Sequence, residues 1–203
     1  KAVRTHQGGN DMSIKEKLES LGRNSIQLKI AEKKHNKLGA TRFGREAGVP
    51  PDFVWPTYEG ESYDHVVKDR PLTFLAQFNC AELAQFDKEH LLPDHGLLSF
   101  FYETDTQCWG YDPKDQLARV YWFEDMSALS AADFPADMEE DFKFPMVKIK
   151  MDSKYSYPPG RTSMRCSRMR RMTGFNDAWE ELTGEDPEDP DDRSQLLGWP
   201  YVI

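Results

Sequence analysis

The chain has 203 residues, of which 38% are hydrophobic and 12% aromatic, enough for a sizeable core in one domain or two small ones. Its net charge of -9 argues against a nucleic-acid-binding protein, because phosphate binding depends on clustered Lys and Arg. No stretch approaches the ~20 apolar residues of a membrane span, and no signal peptide is visible. The three cysteines lie far apart, which favours a reducing, cytoplasmic compartment without disulfides.

The first predicted elements are a helix and a strand. Residues 1–11 are interpreted as an expression leader or a disordered segment, because Met12 lies just before the first predicted helix and can serve as the natural start. Ser13 and Glu16 form a capping-box pattern, and the apolar residues that follow share one helical face, which predicts a helix over residues 13–22. Apolar residues then alternate with polar ones, which predicts a strand, at Ile26, Leu28 and Ile30.

The middle of the chain carries the strongest strand signals. Residues 48–56 read "GVPPDFVWP", and the prolines make this segment extended and irregular, with its aromatic side chains covering an edge of the core. Residues 71–79 read "PLTFLAQFN" and predict a strand, after which Asn79 caps a short helix. Residues 97–103 and 118–125 predict two strands that pair as an antiparallel hairpin.

The remaining signals complete the predicted fold. Large apolar groups lie on both faces of the strand that holds Phe100, so we expect this strand to be central and Phe100 to be buried. Alternation over residues 147–151 predicts another strand, and residues 175–184 predict a helix capped by Asn176 and ended by Gly184. About six strands and three short helices without regular alternation predict an α+β fold with a mainly antiparallel sheet.

No residue pattern predicts a catalytic or metal centre. The sequence has no nucleophile elbow, phosphate-binding glycine loop, dinucleotide fingerprint or zinc pattern. A proline between His90 and His95 breaks any helical zinc pair, and Cys108 has no histidine beside it in the sequence to act as its base. The acidic residues 185–192 are interrupted by prolines where calcium ligands would be needed. We therefore expect no metal and no cofactor, and the sequence assigns no catalytic residue.

One basic segment interrupts the acidic chain. Residues 161–171 hold five arginines and no acidic residue. A patch for nucleic acid or an acidic partner is one interpretation, although the segment lacks interleaved aromatic residues and helical amphipathicity. The other hypothesis is a pair of frame errors in the recorded gene over residues 161–173, because another frame of compatible codons encodes an acidic segment.

Four motifs follow one another along the chain: "TRFGREAGVPPDFVWP", "RPLTFLAQFNCAEL", "LLPDHGLLSFFYE" and "QLLGWPYVI". Together they resemble the YwqG-like family, bacterial proteins of unknown function, most closely over residues 25–125 and 194–203. The chain departs from the family by three inserted residues between Gly44 and Gly48. Family members continue into a second, diverged copy of the same motifs. The resemblance therefore implies a single domain over residues 12–203, the first repeat and the start of a second in a duplicated architecture, truncated at its C-terminus.

Two classes of function stay open. The first is a non-catalytic protein-binding or accessory module, supported by aromatic residues that suit a partner's pockets and by an acidic surface. Because some relatives are encoded near secreted toxin systems, the resemblance includes an immunity-like role as a special case. The alternative is a small-ligand-binding protein or an enzyme whose site assembles from strand ends and loops. A deep cleft with convergent polar groups would favour the alternative, and a flat apolar face would favour the first.

The candidates for binding a partner or ligand are Gln77, Asn79, Trp55, Trp109 and Asp112. The two amides and Thr73 are expected on one face of the predicted strand, and a buried amide without a partner costs about 1–3 kcal/mol. The favoured interpretation is structural: Gln77 bonds carbonyl groups of the irregular backbone of residues 48–56, and Asn79 caps the helix that begins at Cys80. In the other interpretation Gln77 lines a pocket and meets a ligand.

Overall fold

The structure is a computed structural model that describes residues 12–31, 37–106, 117–158, 171–186 and 194–200. The protein has an α+β fold with a mostly antiparallel sheet, as predicted. The helices are α1 (Ile14–Glu19), α2 (Cys80–Leu83) and α3 (Phe175–Thr183), with a 3-10 helix at Glu140–Phe142. The strands are β1 (Arg23–Ala31), β2 (Arg42–Phe43), β3 (Gly48–Val49), β4 (Thr57–Gly60), β5 (Lys68–Pro71), β6 (Thr73–Asn79), β7 (Leu97–Tyr102), β8 (Ala118–Phe123), β9 (Ser130–Ala131), β10 (Val147–Ser156) and β11 (Ser194–Leu197). None of the described helices is long and apolar enough to cross a membrane.

The chain divides into two compact units, one of residues 1–27 and 153–203 and the other of residues 28–152. In the unit of residues 28–152 the strands run in the order β10-β2-β6-β7-β8, and each neighbouring pair is antiparallel. The pairs β3–β9 and β4–β5 form two further antiparallel ribbons. Strand β8 is therefore the last strand of this sheet among the residues that the structure describes.

Strands β7 and β8 form the predicted antiparallel hairpin. Strand β7 lies between β6 and β8, so its predicted place inside the sheet is confirmed. The two faces of β7 differ in burial: Phe101 is 1% exposed, whereas Phe100 is half-buried. The expectation of a buried Phe100 is therefore corrected. The residue opposite Phe100 on β8 is Val120, which is itself 56% exposed, so this part of the face is open.

A β-bulge changes which residues of β6 share a face. The register shifts just after Phe74, so that Phe74 lies opposite Phe101 and Gln77 lies opposite Ser99. Directly opposed residues point to the same side of the sheet, and Ser99 and Phe101 are two positions apart on one side of β7. Gln77 therefore shares a face with Phe74, and the predicted shared face with Thr73 was wrong. The extra residue of the bulge reverses the alternation.

Strand β2 is not among the strands that the sequence predicts. It consists of Arg42 and Phe43 and lies inside the sheet between β10 and β6. The guanidinium of Arg42 is buried and donates hydrogen bonds to the backbone carbonyls of Gly44 and Glu46. A buried Arg is tolerated when its donors are paired in this way. Two residues are too few to show a strand period.

The core of residues 28–152 is aromatic. Phe74 and Phe101 are buried, with ring centroids 5.3 Å apart. Phe53 stacks on Phe101 at 5.8 Å, and Trp55 meets the same ring edge-on at 5.3 Å. Both residues belong to the proline-rich segment, so the prediction that its aromatic side chains cover a core edge is confirmed.

The helix caps of the other unit were predicted in part. In α1 the Ser13 hydroxyl accepts from the Glu16 backbone N–H and the Glu16 carboxylate accepts from the Ser13 backbone N–H, which confirms the capping box. Helix α3 ends at Gly184 with the left-handed φ of 73°, as predicted. It begins after Gly174, so Asn176 lies inside the helix and its predicted capping role was wrong.

The core of this second unit forms between its two helices. Leu18 of α1 packs with Phe175 and Trp179 of α3, and all three are buried. Next to them, Trp199 donates its indole N–H to the Leu21 carbonyl at 2.6 Å. Residues 195–199 are partly buried within this unit. Residues 161–170, which carry most of the basic segment, lie outside the described residues.

Candidate functional site

Gln77 is fully buried at 0% exposure, and both ends of its amide bind the backbone. Its Nε2 donates to the Ala40 carbonyl at 2.9 Å, and its Oε1 accepts from the Gly48 N–H at 3.1 Å. Gln77 does bond the backbone of residues 48–56, as predicted, but by accepting from the Gly48 N–H. The predicted carbonyl partner within that segment was wrong, because the amide donates to Ala40 instead. Gln77 therefore connects β6 to the backbone at Ala40 and at Gly48, the first residue of β3.

Asn79 also serves the backbone. Its Oδ1 accepts from the Ala81 N–H at 3.1 Å, which confirms the predicted cap of α2. Its Nδ2 donates to the Gly39 carbonyl at 3.1 Å. Both polar ends of this side chain thus bind backbone groups, one at Gly39 and one at the start of α2.

Trp55 is the predicted site residue that reaches a surface depression. Its indole N–H donates to the Leu72 carbonyl at 2.9 Å, and its ring is half-buried against the core. The exposed part of the ring lines the groove described below. Trp109 and Asp112 lie outside the described residues, and so does Cys108.

Buried polar residues converge beside the end of strand β7. Glu103 is 1% exposed and accepts from the Thr106 N–H at 2.7 Å and from the Tyr58 hydroxyl at 3.4 Å. Burial, followed by the nearby carboxylates of Glu103 and Asp105, raises the pKa of Tyr58 above its ordinary value. Tyr58 therefore stays neutral, and its hydroxyl donates a hydrogen bond to the Glu103 carboxylate.

Arg70 closes the other side of this polar cluster. It is 6% exposed and donates to the Asp64 carboxylate, the Val66 carbonyl and the Gly60 carbonyl. The Val66 N–H, with the guanidinium of Arg70, lowers the pKa of Asp64 to about 2. Both buried charges of the cluster, Arg70 and Glu103, thus have partners within the protein.

The cleft between these residues has a volume of about 40 Å³, lined among others by Tyr58, Arg70 and Glu103. A drug-sized ligand pocket has about 300–1,000 Å³, so this cleft has room for a few water molecules at most. In the part of the chain that the structure describes, no group of three or more His, Cys, Asp or Glu side chains is placed to hold a metal ion.

A larger, open depression lies beside strand β8, and we call it the aromatic groove. Its volume is about 510 Å³. The groove is lined by Pro50, Asp52, Phe53, Val54, Trp55, Pro56, Thr57, Arg119 and Tyr121. Tyr121 packs edge-on against Phe53 at 5.1 Å, and Arg119 donates to the Thr57 carbonyl at 2.7 Å. The first contact attaches the proline-rich segment to β8, and the second attaches the start of β4 to the same strand.

The opposite face of β8 carries exposed apolar side chains. We define the outer face of β8 as Ala118, Val120 and Trp122. Val120 is 56% and Trp122 is 44% exposed. The sequence predicted this strand but not its exposure, because large apolar residues occupy both alternating sets of positions and neither set is marked as the solvent side.

An acidic pair with a histidine borders Trp122. The Trp122 indole N–H donates to the His95 carbonyl at 3.1 Å, and the two rings lie 5.7 Å apart. His95 contacts the carboxylates of Asp94 at 2.7 Å and Glu124 at 3.5 Å, and these contacts raise the pKa of His95. With two carboxylates beside one histidine, the Trp122 end of β8 is negatively charged whether or not His95 is protonated.

One hydrogen bond shows which backbone N–H and C=O groups of β8 point to β7. The Glu103 N–H donates to the Leu117 carbonyl at 2.8 Å, and these residues continue the β7–β8 register. In an antiparallel pair, hydrogen-bonded and non-hydrogen-bonded positions alternate. The N–H and C=O groups that point to β7 therefore belong to Arg119, Tyr121 and Phe123. Those that point away from β7 belong to Ala118, Val120 and Trp122.

A family comparison covers most of this chain. Residues 41–203 match the model of a domain of unknown function, DUF1963. The chain belongs to the DUF1963 family. No curated protein matches the sequence.

Within this DUF1963 domain, the aromatic groove and the outer face of β8 are both inside the matched residues. They lie on opposite faces of one strand, because Tyr121 and Trp122 are adjacent and successive side chains alternate. One strand thus presents a groove, an apolar face and a row of backbone hydrogen-bonding groups.

Proposed function

We propose that this DUF1963 protein is a non-catalytic protein-binding module of the bacterial cytoplasm, a YwqG-like domain over residues 12–203, with an immunity-like accessory role as a special case. The observation that carries the proposal is the outer face of β8, where Val120 and Trp122 are 56% and 44% exposed on the last described strand of the sheet. Trp is one of the residue types enriched among the energetic centres of protein interfaces.

The exposed residues form a continuous surface. Val120 lies opposite Phe100 and Trp122 lies opposite Leu98, and Phe100 is half-buried. Pairs at non-hydrogen-bonded positions bring their side chains close together, with Cα atoms about 4.5 Å apart. Single exposed apolar residues are ordinary on protein surfaces, whereas contiguous patches mark interaction sites. This arrangement supports a partner-binding face.

The polar cleft supports the alternative function less well. At about 40 Å³ it does not enclose a small organic substrate. Its two buried charges, on Arg70 and Glu103, are bound to groups of the protein itself. A structural role for the cluster explains these contacts without a ligand.

Site-specific photo-crosslinking tests the proposal. A photoreactive phenylalanine analogue replaces Val120 in the full chain, and in a matched control it replaces Ile30, which is 76% exposed. We expect a discrete crosslinked protein at position 120 in the source cells, lost when Trp122→Glu is added, and none at position 30. Equal labelling at both positions, or none at position 120, would show that the outer face of β8 is ordinary surface.

A further inference from the structure

We propose that the partner binds as an extended strand added to the free edge of β8, with apolar side chains directed to the aromatic groove and Lys or Arg side chains on the outer face. This inference rests on the proposed protein-binding function and specifies the chemistry of the partner. It depends on three properties of β8: its backbone, the groove on one face and the charge on the other.

The backbone of β8 supplies the first property. The outward groups of Ala118, Val120 and Trp122 have no strand beside them among the described residues. An edge strand with unpaired N–H and C=O groups is a template for another extended chain. Many proteins protect such an edge with a proline or an inward-pointing charge, and the six residues of β8 contain no proline and one charge, Arg119.

The aromatic groove supplies a receptor for alternate side chains. Side chains of an added strand point alternately to the two faces of the sheet, and specificity comes from pockets on those faces. Arg119 and Tyr121 of β8 line the groove together with Pro50 and residues 52–57, so the groove lies on the face of β8 opposite its outer face. Alternate side chains of a strand added to β8 would point to this face. Trp55, Pro50 and Tyr121 make this receptor suited to an apolar or aromatic side chain.

The negative charge around Trp122 favours particular side chains of the partner on the outer face of β8. The carboxylates of Asp94 and Glu124 are 86% and 71% exposed, and both contact the His95 ring that lies beside Trp122. A Lys or Arg stem can cover the Trp122 ring while its cationic head meets these carboxylates. The chain's net charge of -9 attracts a basic partner and repels a second copy of itself.

A synthetic peptide tests the inference directly. The probe is a capped, fluorescein-labelled peptide of seven residues in which Lys and Val alternate, and its binding to the full chain is measured by fluorescence anisotropy at low salt. We expect saturable binding. Two control peptides separate the contributions: N-methylation of alternate residues removes edge hydrogen bonds, and Glu in place of Lys reverses the charge. Each change should weaken binding by about tenfold or more, which corresponds to about 1.4 kcal/mol.

A matched pair of protein variants tests the edge itself. Val120→Pro removes an outward N–H and leaves the hydrogen bonds between β7 and β8 in place, because position 120 does not donate to β7. Val120→Thr keeps that N–H. We expect Val120→Pro to weaken peptide binding by about tenfold and Val120→Thr to change it by less than about threefold. If Val120→Pro unfolds the protein, the N-methylated peptide makes the same test on the unchanged chain.

Three results would overturn the inference. Peptide binding that is insensitive both to N-methylation and to Val120→Pro would place the partner elsewhere. A concentration-dependent dimer that is lost in Val120→Pro would make a second copy the occupant of the edge. Crosslinking at position 120 without any binding of the peptide up to millimolar concentration would leave the protein-binding function standing and remove the added-strand mode.

Discussion

Strands β6 and β8 lie on either side of β7 and use their side chains in opposite ways. Strand β6 carries two amides, Gln77 and Asn79, and both bind nearby backbone groups. Strand β8 carries large apolar side chains, and two of them are exposed. The two amides of β6 are thus paired with backbone groups, while apolar residues are left open at the last described strand. The surface that needs an explanation is therefore the apolar one, on β8.

The two faces of β7 give the largest expected effect. Phe101 is 1% exposed in the aromatic core, so Phe101→Ala should lower the free energy of unfolding by about 3–5 kcal/mol. Phe100 is half-buried on the face that β8 leaves open, so Phe100→Ala should cost clearly less. Denaturant unfolding of both variants measures the difference. Equal losses would mean that the face of Phe100 is as well covered as the core.

The buried amide of β6 gives the next effect. Gln77→Leu leaves the Gly48 N–H and the Ala40 carbonyl without their partner. Since each of these two unsatisfied buried groups costs about 1–3 kcal/mol, we expect a loss of about 2–6 kcal/mol and unchanged partner binding. Thermal unfolding beside the exposed control Gln85→Leu measures it. A variant that melts like the parent but loses its partner would instead make Gln77 a binding residue.

Tyr58 gives an effect that depends on pH. Burial and then the Glu103 and Asp105 carboxylates raise the pKa of Tyr58 in the folded state, so folding favours the neutral phenol. The stability from this preference is present below the unfolded pKa of about 10 and is lost as pH rises above it. Tyr58→Phe should therefore flatten the alkaline decline in melting temperature. The exposed Tyr63→Phe is the control, and the same flattening there would contradict the assignment.

The outer face of β8 should give the smallest effect on stability. Val120→Thr replaces a 56% exposed side chain and should change the free energy of unfolding by no more than about 0.5 kcal/mol. Ile149 of β10 is 5% exposed, so Ile149→Thr places a hydroxyl in a buried site. This variant should cost more than about 1 kcal/mol. A large loss at Val120 would show that this face is already covered.

Much of the fold could be predicted from local patterns. The capping box of α1, the β7–β8 hairpin and the Asn79 cap of α2 each depend on residues close together in sequence or on a clear alternation. Strand β2 and the bulge in β6 could not be predicted in this way. A two-residue strand has no period, and the bulge depends on pairing with β7 rather than on the residues of β6 alone.

The candidate site was harder to predict than the fold. Trp55 was identified because an aromatic residue in an irregular segment can reach the surface, and it lines the aromatic groove. The exposure of Val120 was missed, because it follows from the place of β8 in the strand order and not from its composition. Gln77 was a candidate because a buried amide needs hydrogen-bond partners. Its two bonds to backbone groups supply those partners without a ligand.

Amide hydrogen exchange along β8 of the full chain, resolved by residue, tests the free edge most directly. In the free protein the amides of Arg119, Tyr121 and Phe123 should be protected, because they point to β7, while those of Ala118, Val120 and Trp122 exchange rapidly. Adding the alternating Lys–Val peptide at saturation should protect the second set. Protection of Val120 and Trp122 in the free protein would contradict the account, because it would show that the edge of β8 is already paired.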